Sequence, residues 1–145
     1  MATTGLEVWD KTVQTTNIWL DEIMAELGPD RQAAWHALGA VLRALRDRLP
    51  IEVAAHLGAQ LPLVVRGTFY DQWHVGGAQV PARSLEAFLA QVEAHFGRGQ
   101  PTDTQAMLAA VFRTLARHVE PGQIAKVLAA LPAGVRAPLR DAASA

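Results

Sequence analysis

The stretch Leu38-Gly39-Ala40-Val41-Leu42-Arg43-Ala44-Leu45 returns seventy residues later as Leu108-Ala109-Ala110-Val111-Phe112-Arg113-Thr114-Leu115. At the same spacing, with no gap between, Ala55, Ala59, Leu61, Pro62, Val65 and Arg66 fall on Ala125, Ala129, Leu131, Pro132, Val135 and Arg136. A chain that states the same pattern twice predicts a duplicated unit, and the three- and four-residue steps between its apolar positions make that unit helical. Working outward on the N-terminal side, Trp9, Val13, Thr16, Leu20, Ile23 and Leu27 form one stripe and predict a helix over 8–27. Gly28-Pro29-Asp30 closes it, and Asp30 suits the N-cap of a second helix reaching Arg48, with Trp35, Leu38, Val41, Leu42, Leu45 and Leu49 on its buried face.

Proline lacks a backbone N–H and clashes with the preceding helical turn, so Pro50 and Pro62 start new helices rather than continue old ones. They predict a third helix through Ile51, Ala54, Leu57 and Leu61 and a fourth through Val65 and Phe69 to Tyr70 or Trp73. The stretch 74–83, with Gly76, Gly77 and Pro81, has no helical period and reads as a connection. Beyond it Leu85, Leu89, Val92 and Phe96 match Thr16, Leu20, Ile23 and Leu27, and Gly97 matches Gly28. Thr102 and Gln105 fit a capping box for the next helix, and Pro121 and Pro132 repeat the two sharp corners. The expected architecture is all-α: a first helical repeat over 1–73, a connecting loop over 74–83, a second repeat over 84–140 and a frayed tail over 141–145, with four short helices per repeat.

A chain of 145 residues, 50% hydrophobic and 19% charged, has the composition of a folded soluble domain. Its net charge of -1 gives no overall attraction to nucleic acid or anionic lipid. Residues 1–73 carry six Lys and Arg against nine Asp and Glu, whereas the rest carry seven against five, an asymmetry able to orient the halves against one another. Asp21, Glu22 and Glu26 concentrate the negative charge at the end of the first helix, where the helix dipole disfavours it, and read as a solvated face or a patch for a basic partner. The chain has no cysteine, which excludes disulfides, thiolate nucleophiles and thiolate-held metals. With neither a secretory signal pattern nor an apolar run of about 20 residues, the expected location is the cytoplasm.

Catalytic patterns are sparse. The five histidines make no zinc or di-iron motif; Glu52 and His56 lie four apart on one helix face but have no third ligand nearby in the sequence, so no metal and no cofactor is implied. Ser84 and Ser144 are the only serines and neither stands in a nucleophile elbow, and Gly97-Arg98-Gly99-Gln100 lacks the ending of a phosphate loop. The distinctive segment is Arg66-Gly67-Thr68-Phe69-Tyr70-Asp71-Gln72-Trp73-His74, because its counterpart in the second repeat, from Arg136 to Asp141, has no aromatic residue. Two readings stand: Phe69 and Trp73 fill the seam between repeats, or Tyr70, Trp73 and His74, with Arg66, line a groove for a ligand or partner. The recurring pairs Arg43/Arg113 and Arg66/Arg136 suggest arginines that lie along apolar surface and reach helix-end carbonyls, with an anion site formed by paired arginines as the lesser alternative.

The order Val41, Leu42, Leu45, Arg48, Leu49, then Gln60-Leu61-Pro62, then Arg66-Gly67-x-x-Tyr70-Asp71-x-Trp73 resembles the bacterial domain-of-unknown-function family numbered 2267. The resemblance spans about Trp9 to Arg140. It implies a duplicated all-helical domain and carries no established activity, cofactor or catalytic residue. Together these readings favour a protein-interaction or structural module over an enzyme, with a protein partner or self-association, and with no nucleic acid or membrane. The alternative is small-molecule binding at the junction of the repeats through Arg66, Tyr70, Trp73 and His74.

Overall fold

The computed structural model describes residues 4–77, 81–97 and 103–145. Among them are eight α-helices and no strand: α1 (Glu7–Leu27), α2 (Arg31–Arg48), α3 (Ile51–Ala59), α4 (Leu63–Tyr70), α5 (Leu85–Phe96), α6 (Thr104–His118), α7 (Pro121–Ala130) and α8 (Ala133–Ser144). The all-α expectation and the positions of the helices agree with this. The local reasons are those legible in the chain. Asp30, Ser84 and Asp103 cap α2, α5 and α6 by accepting from the backbone N–H of Ala33, Ala87 and Ala106, each at 3.0 Å. Pro50, Pro62 and Pro132 hold N-cap positions, and Pro121 is the first residue of α7. Gly97 ends α5 in the left-handed region at φ 69°. Gly28 ends α1 at φ 122°, outside the left-handed helical basin expected for it. Thr102, the other half of the expected capping box, lies outside the described residues, as do parts of the 74–83 connection and of the Gly97-Arg98-Gly99-Gln100 stretch.

The helices close around one hydrophobic core containing Trp19, Ile23, Leu38, Leu42, Leu45, Phe69, Phe88, Phe112, Leu115 and Val135. The packing is reciprocal: α1 lies on α6 while α5 lies on α2, α3 meets α7, and α2 meets α6. The acidic end of α1 is not simply a patch awaiting a basic partner: the exposed Asp21 pairs with Arg31 of α2 at 2.7 Å, and the second half of the chain supplies cations for the other two carboxylates. Glu22 accepts from Arg117 at 2.9 Å and lies 2.7 Å from His118 Nε2, and Glu26 pairs with Arg113. His118 also stacks on buried Trp19, with ring centroids 5.1 Å apart.

Two expectations are corrected. The buried residues of α1 are Thr12, Thr16, Trp19, Leu20 and Ile23, while Trp9, Val13 and Leu27 of the expected stripe are 57%, 48% and 38% exposed. At 21 residues α1 is about 31 Å long, and Val8 and Lys11 of its first turns line one cleft with Leu61, Pro62 and Leu63 at the α3–α4 corner. At the other end, α8 continues to Ser144 where a frayed tail was expected: Ala142 is buried and its carbonyl accepts from Arg113 Nε at 3.1 Å.

Candidate functional site

Each residue singled out at the junction can now be placed. Arg66 stands on α4 and turns back over the α3–α4 corner, donating to the carbonyls of Gly58, Ala59 and Leu61 at 3.0, 3.2 and 3.1 Å. Those carbonyls are the open end of α3, so the guanidinium supplies the donors the helix lacks. Arg136 does the same for α7, reaching Leu128, Ala129 and Leu131 at 2.9, 3.4 and 2.7 Å.

Tyr70 is half-buried at the end of α4, where its hydroxyl donates to the Ala55 carbonyl at 3.3 Å and its ring stacks on Trp73 at 5.5 Å. The tyrosine crosses α3 so closely that a Cβ on Gly58 would stand 2.3 Å from its hydroxyl oxygen. Phe69 behind it is fully buried, and Asp71 is exposed. Trp73 and His74 line a cleft of about 310 Å³ together with Arg46, Asp47, Gln72 and His95. Of the four candidates the structure brings Trp73 and His74 into the cleft and sets Tyr70 against Trp73, whereas Arg66 belongs to the corner and is not among the lining residues.

The polar floor of that cleft was not visible in the sequence. Arg46 is buried, and its Nη1 donates to the carbonyls of Phe69 and Asp71 at 3.0 and 2.8 Å, closing α4. Its Nε donates to Asp47 Oδ1 at 2.8 Å, and Asp47 Oδ2 lies 2.8 Å from His95 Nε2 on α5. A guanidinium, a carboxylate and an imidazole from two distant helices thus form one chain of hydrogen bonds, a pattern that stabilises the charges mutually in partial burial. Gln72, in the turn above, takes φ 61°, a value costly for a side chain other than glycine. The residue spacing of Arg46-Asp47 within α2 offered no signal, because His95 is 48 positions away.

The cleft presents an indole, two imidazoles and the Arg46–Asp47 ion pair along its walls. Ser84 is occupied as the α5 cap and Ser144 donates to the Arg140 carbonyl. Among the described residues no three His, Cys, Asp or Glu side chains are placed to hold a metal ion, and no helix is long and apolar enough to cross a membrane.

A second region stands out by exposure alone. Leu6, Val8, Trp9 and Val13 on and just before α1, and Leu63 and Val64 on the first turn of α4, are all large, apolar and exposed. They lie either side of Thr12, whose Oγ1 accepts from the Val64 backbone N–H at 3.1 Å, and Val8 and Leu63 share the wall of one shallow cleft. Sequence reasoning placed Trp9 and Val13 on the stripe of α1, and their exposure is a difference the apolar period alone did not signal.

Residues 16–137 match the family of uncharacterised conserved proteins designated DUF2267. No curated protein matches the chain.

Proposed function

The chain belongs to the DUF2267 family, and from that premise we propose that it works as a protein-interaction module docking through the apolar face of α1 and α4. One observation carries this: six of the ten large hydrophobic side chains exposed among the described residues lie on α1, just before it, or on the first turn of α4. Scattered apolar residues are ordinary on a surface, whereas a concentration of them is retained where something covers it. The reading includes a cytoplasmic setting and no nucleic-acid role, supported by the net charge of -1 and the absence of a basic run. It also includes descent of the two four-helix segments from one copied unit, supported by the reciprocal packing and the matched Arg66 and Arg136 contacts.

The test is capture of partners from host extract by the protein and by its Trp9→Glu and Val64→Glu variants, with thermal melts alongside. The expected result is loss of capture with unchanged melting. Capture that survives both substitutions would remove this face from the reading.

A second reading is favoured by the cleft itself: residues of both segments meet there, with Trp73 and His74 offering an aromatic face and a titratable ring. Native mass spectrometry of protein taken from its host is expected to show a retained small molecule that Trp73→Ala loses, and an empty mass for the unaltered protein sinks this alternative.

A further inference from the structure

We infer that the partner presents a peptide segment in which an acidic side chain is flanked by apolar ones, its carboxylate received in the cleft of about 350 Å³ between the first turns of α1 and the α3–α4 corner. The inference rests on the interaction reading above and adds the chemistry of what is bound.

The first argument is charge. Lys11 and Arg66 both line this cleft, and no Asp or Glu is among its lining residues, whereas the cleft holding Trp73 and His74 has Asp47 in its wall. Lys11 is exposed and has no ion pair or hydrogen bond among the described residues. Arg66 commits Nε and Nη2 to the carbonyls of the corner, which leaves Nη1 as a donor. The start of α4 lies in the same wall: its N-cap Pro62 has no side-chain acceptor and its first turn no acidic residue, so the helix end adds to the positive field. The nearby carboxylates do not cancel this. Glu22 is shared between His118 and Arg117, and Glu7 and Glu120 are not among the lining residues.

Unmet donors are the second argument. Trp19, 2% exposed, belongs to the same wall, and its Nε1–H has no acceptor. A buried N–H left unpaired is costly, and an oxygen brought to it recovers that cost. Gln60 spends its Oε1 on the Glu120 N–H at 2.8 Å, so what it has left to offer is its amide N–H groups. Donors therefore exceed free acceptors here, the complement of a carboxylate, which only accepts.

The third argument is the apolar rim. Val8 on α1 and Leu63 on α4 share this cleft and are both about half exposed, so apolar side chains on either side of the acid have surface to cover. A small inorganic anion would leave both bare, and for that reason the carboxylate is assigned to a peptide. The second repeat offers no such place. Ala130 and Ala133 stand where Gln60 and Leu63 do, and no lysine there stands for Lys11, so these groups are not what the repeated corner needs in order to fold.

The experiment is selection of random short peptides displayed on phage against the full chain, followed by titration of the enriched peptides into isotope-labelled protein. Enriched sequences are expected to carry Asp or Glu between large apolar residues, and the indole N–H resonance of Trp19 is expected to shift on binding. Lys11→Glu is expected to weaken binding by about 10-fold or more, through like-charge repulsion, while Lys11→Arg retains it. Lys126→Glu, the same reversal at an exposed position of α7, is expected to bind like the unaltered protein. Thermal melting should be unchanged in all three. Failure to enrich any peptide, or an enriched set without acids, overturns the inference, as does binding indifferent to Lys11→Glu. A Trp19 indole signal that stays in place as the peptide binds overturns this cleft as its seat. Each of these results leaves the interaction reading to the capture experiment, which does not depend on Lys11.

Discussion

The α3–α4 corner and the α7–α8 corner are built from the same residues and behave alike, yet the helices leaving them do not. Leu61-Pro62 and Leu131-Pro132 both break a helix and restart it, and Arg66 and Arg136 reach back over the break to three carbonyls each. After that, α4 ends at Tyr70 whereas α8 runs on to Ser144. The difference lies in what α2 and α6 offer. Arg46 takes the carbonyls of Phe69 and Asp71 and stops α4, while the corresponding position on α6 is Ala116, which cannot. The helix starts differ too: α5 begins at Leu85, the counterpart of Thr16, so the nine residues Glu7 to Thr15 of α1 have no equivalent. The family match also begins at residue 16. A shared local pattern thus fixes a shared local structure, and divergence is confined to helix ends, where a single long-range partner decides the outcome.

The largest expected effect breaks the asymmetry at its source. Arg46→Ala gives α2 the residue that α6 has, but strands Asp47 beside His95 and leaves the last carbonyls of α4 without a donor. Urea unfolding should show a loss of about 3 kcal/mol, the scale for removing one partner of a buried charged pair. A loss under 1 kcal/mol would mean that the network at the cleft floor contributes little.

Arg66→Ala and Arg136→Ala sharpen the comparison from the other side. Each removes hydrogen bonds from a charged donor to a helix end, so each should cost about 1.5–3 kcal/mol, and the two costs should agree within about 0.5 kcal/mol if the corners are energetically as well as geometrically matched. Unequal losses in the same denaturation series would show that the matched contacts hide different surroundings.

The smallest effect concerns Gly58, whose counterpart is Leu128, just as Arg140 stands where Tyr70 does. Gly58→Ala forces Tyr70 off its contact and should lower stability by about 1 kcal/mol, strain outweighing the gain in helix propensity. In a Tyr70→Arg background the loss should shrink, because only the closer contact with Phe69 Cε2, at 3.2 Å, then opposes the propensity gain. Thermal melts of the four proteins decide it, and an unchanged loss would show that Tyr70 is not what keeps position 58 small.

Much of the fold was legible before any coordinates. Pro50, Pro62, Pro121 and Pro132 end or start helices by their own chemistry, and Asp30 and Ser84 cap wherever a helix follows them, so helix number and placement follow from neighbours in the chain. The candidate site was half legible: Trp73 and His74 do share a cleft, while Arg66 resolves into a corner clasp and Arg46, Asp47 and His95 went unnoticed.

What the sequence determined by itself is which side of each helix is apolar, because a 3.6-residue period is a local property. How far along that side a neighbour extends is not local. Trp9 and Val13 carry the same period as Leu20 and Ile23, yet the first pair stands in solvent and the second in the core, and only the placement of neighbours around α1 separates them. The meeting of Asp47 with His95 is likewise a product of α2 lying on α5, since hydrogen bonds depend on distances in space that no spacing along the chain encodes.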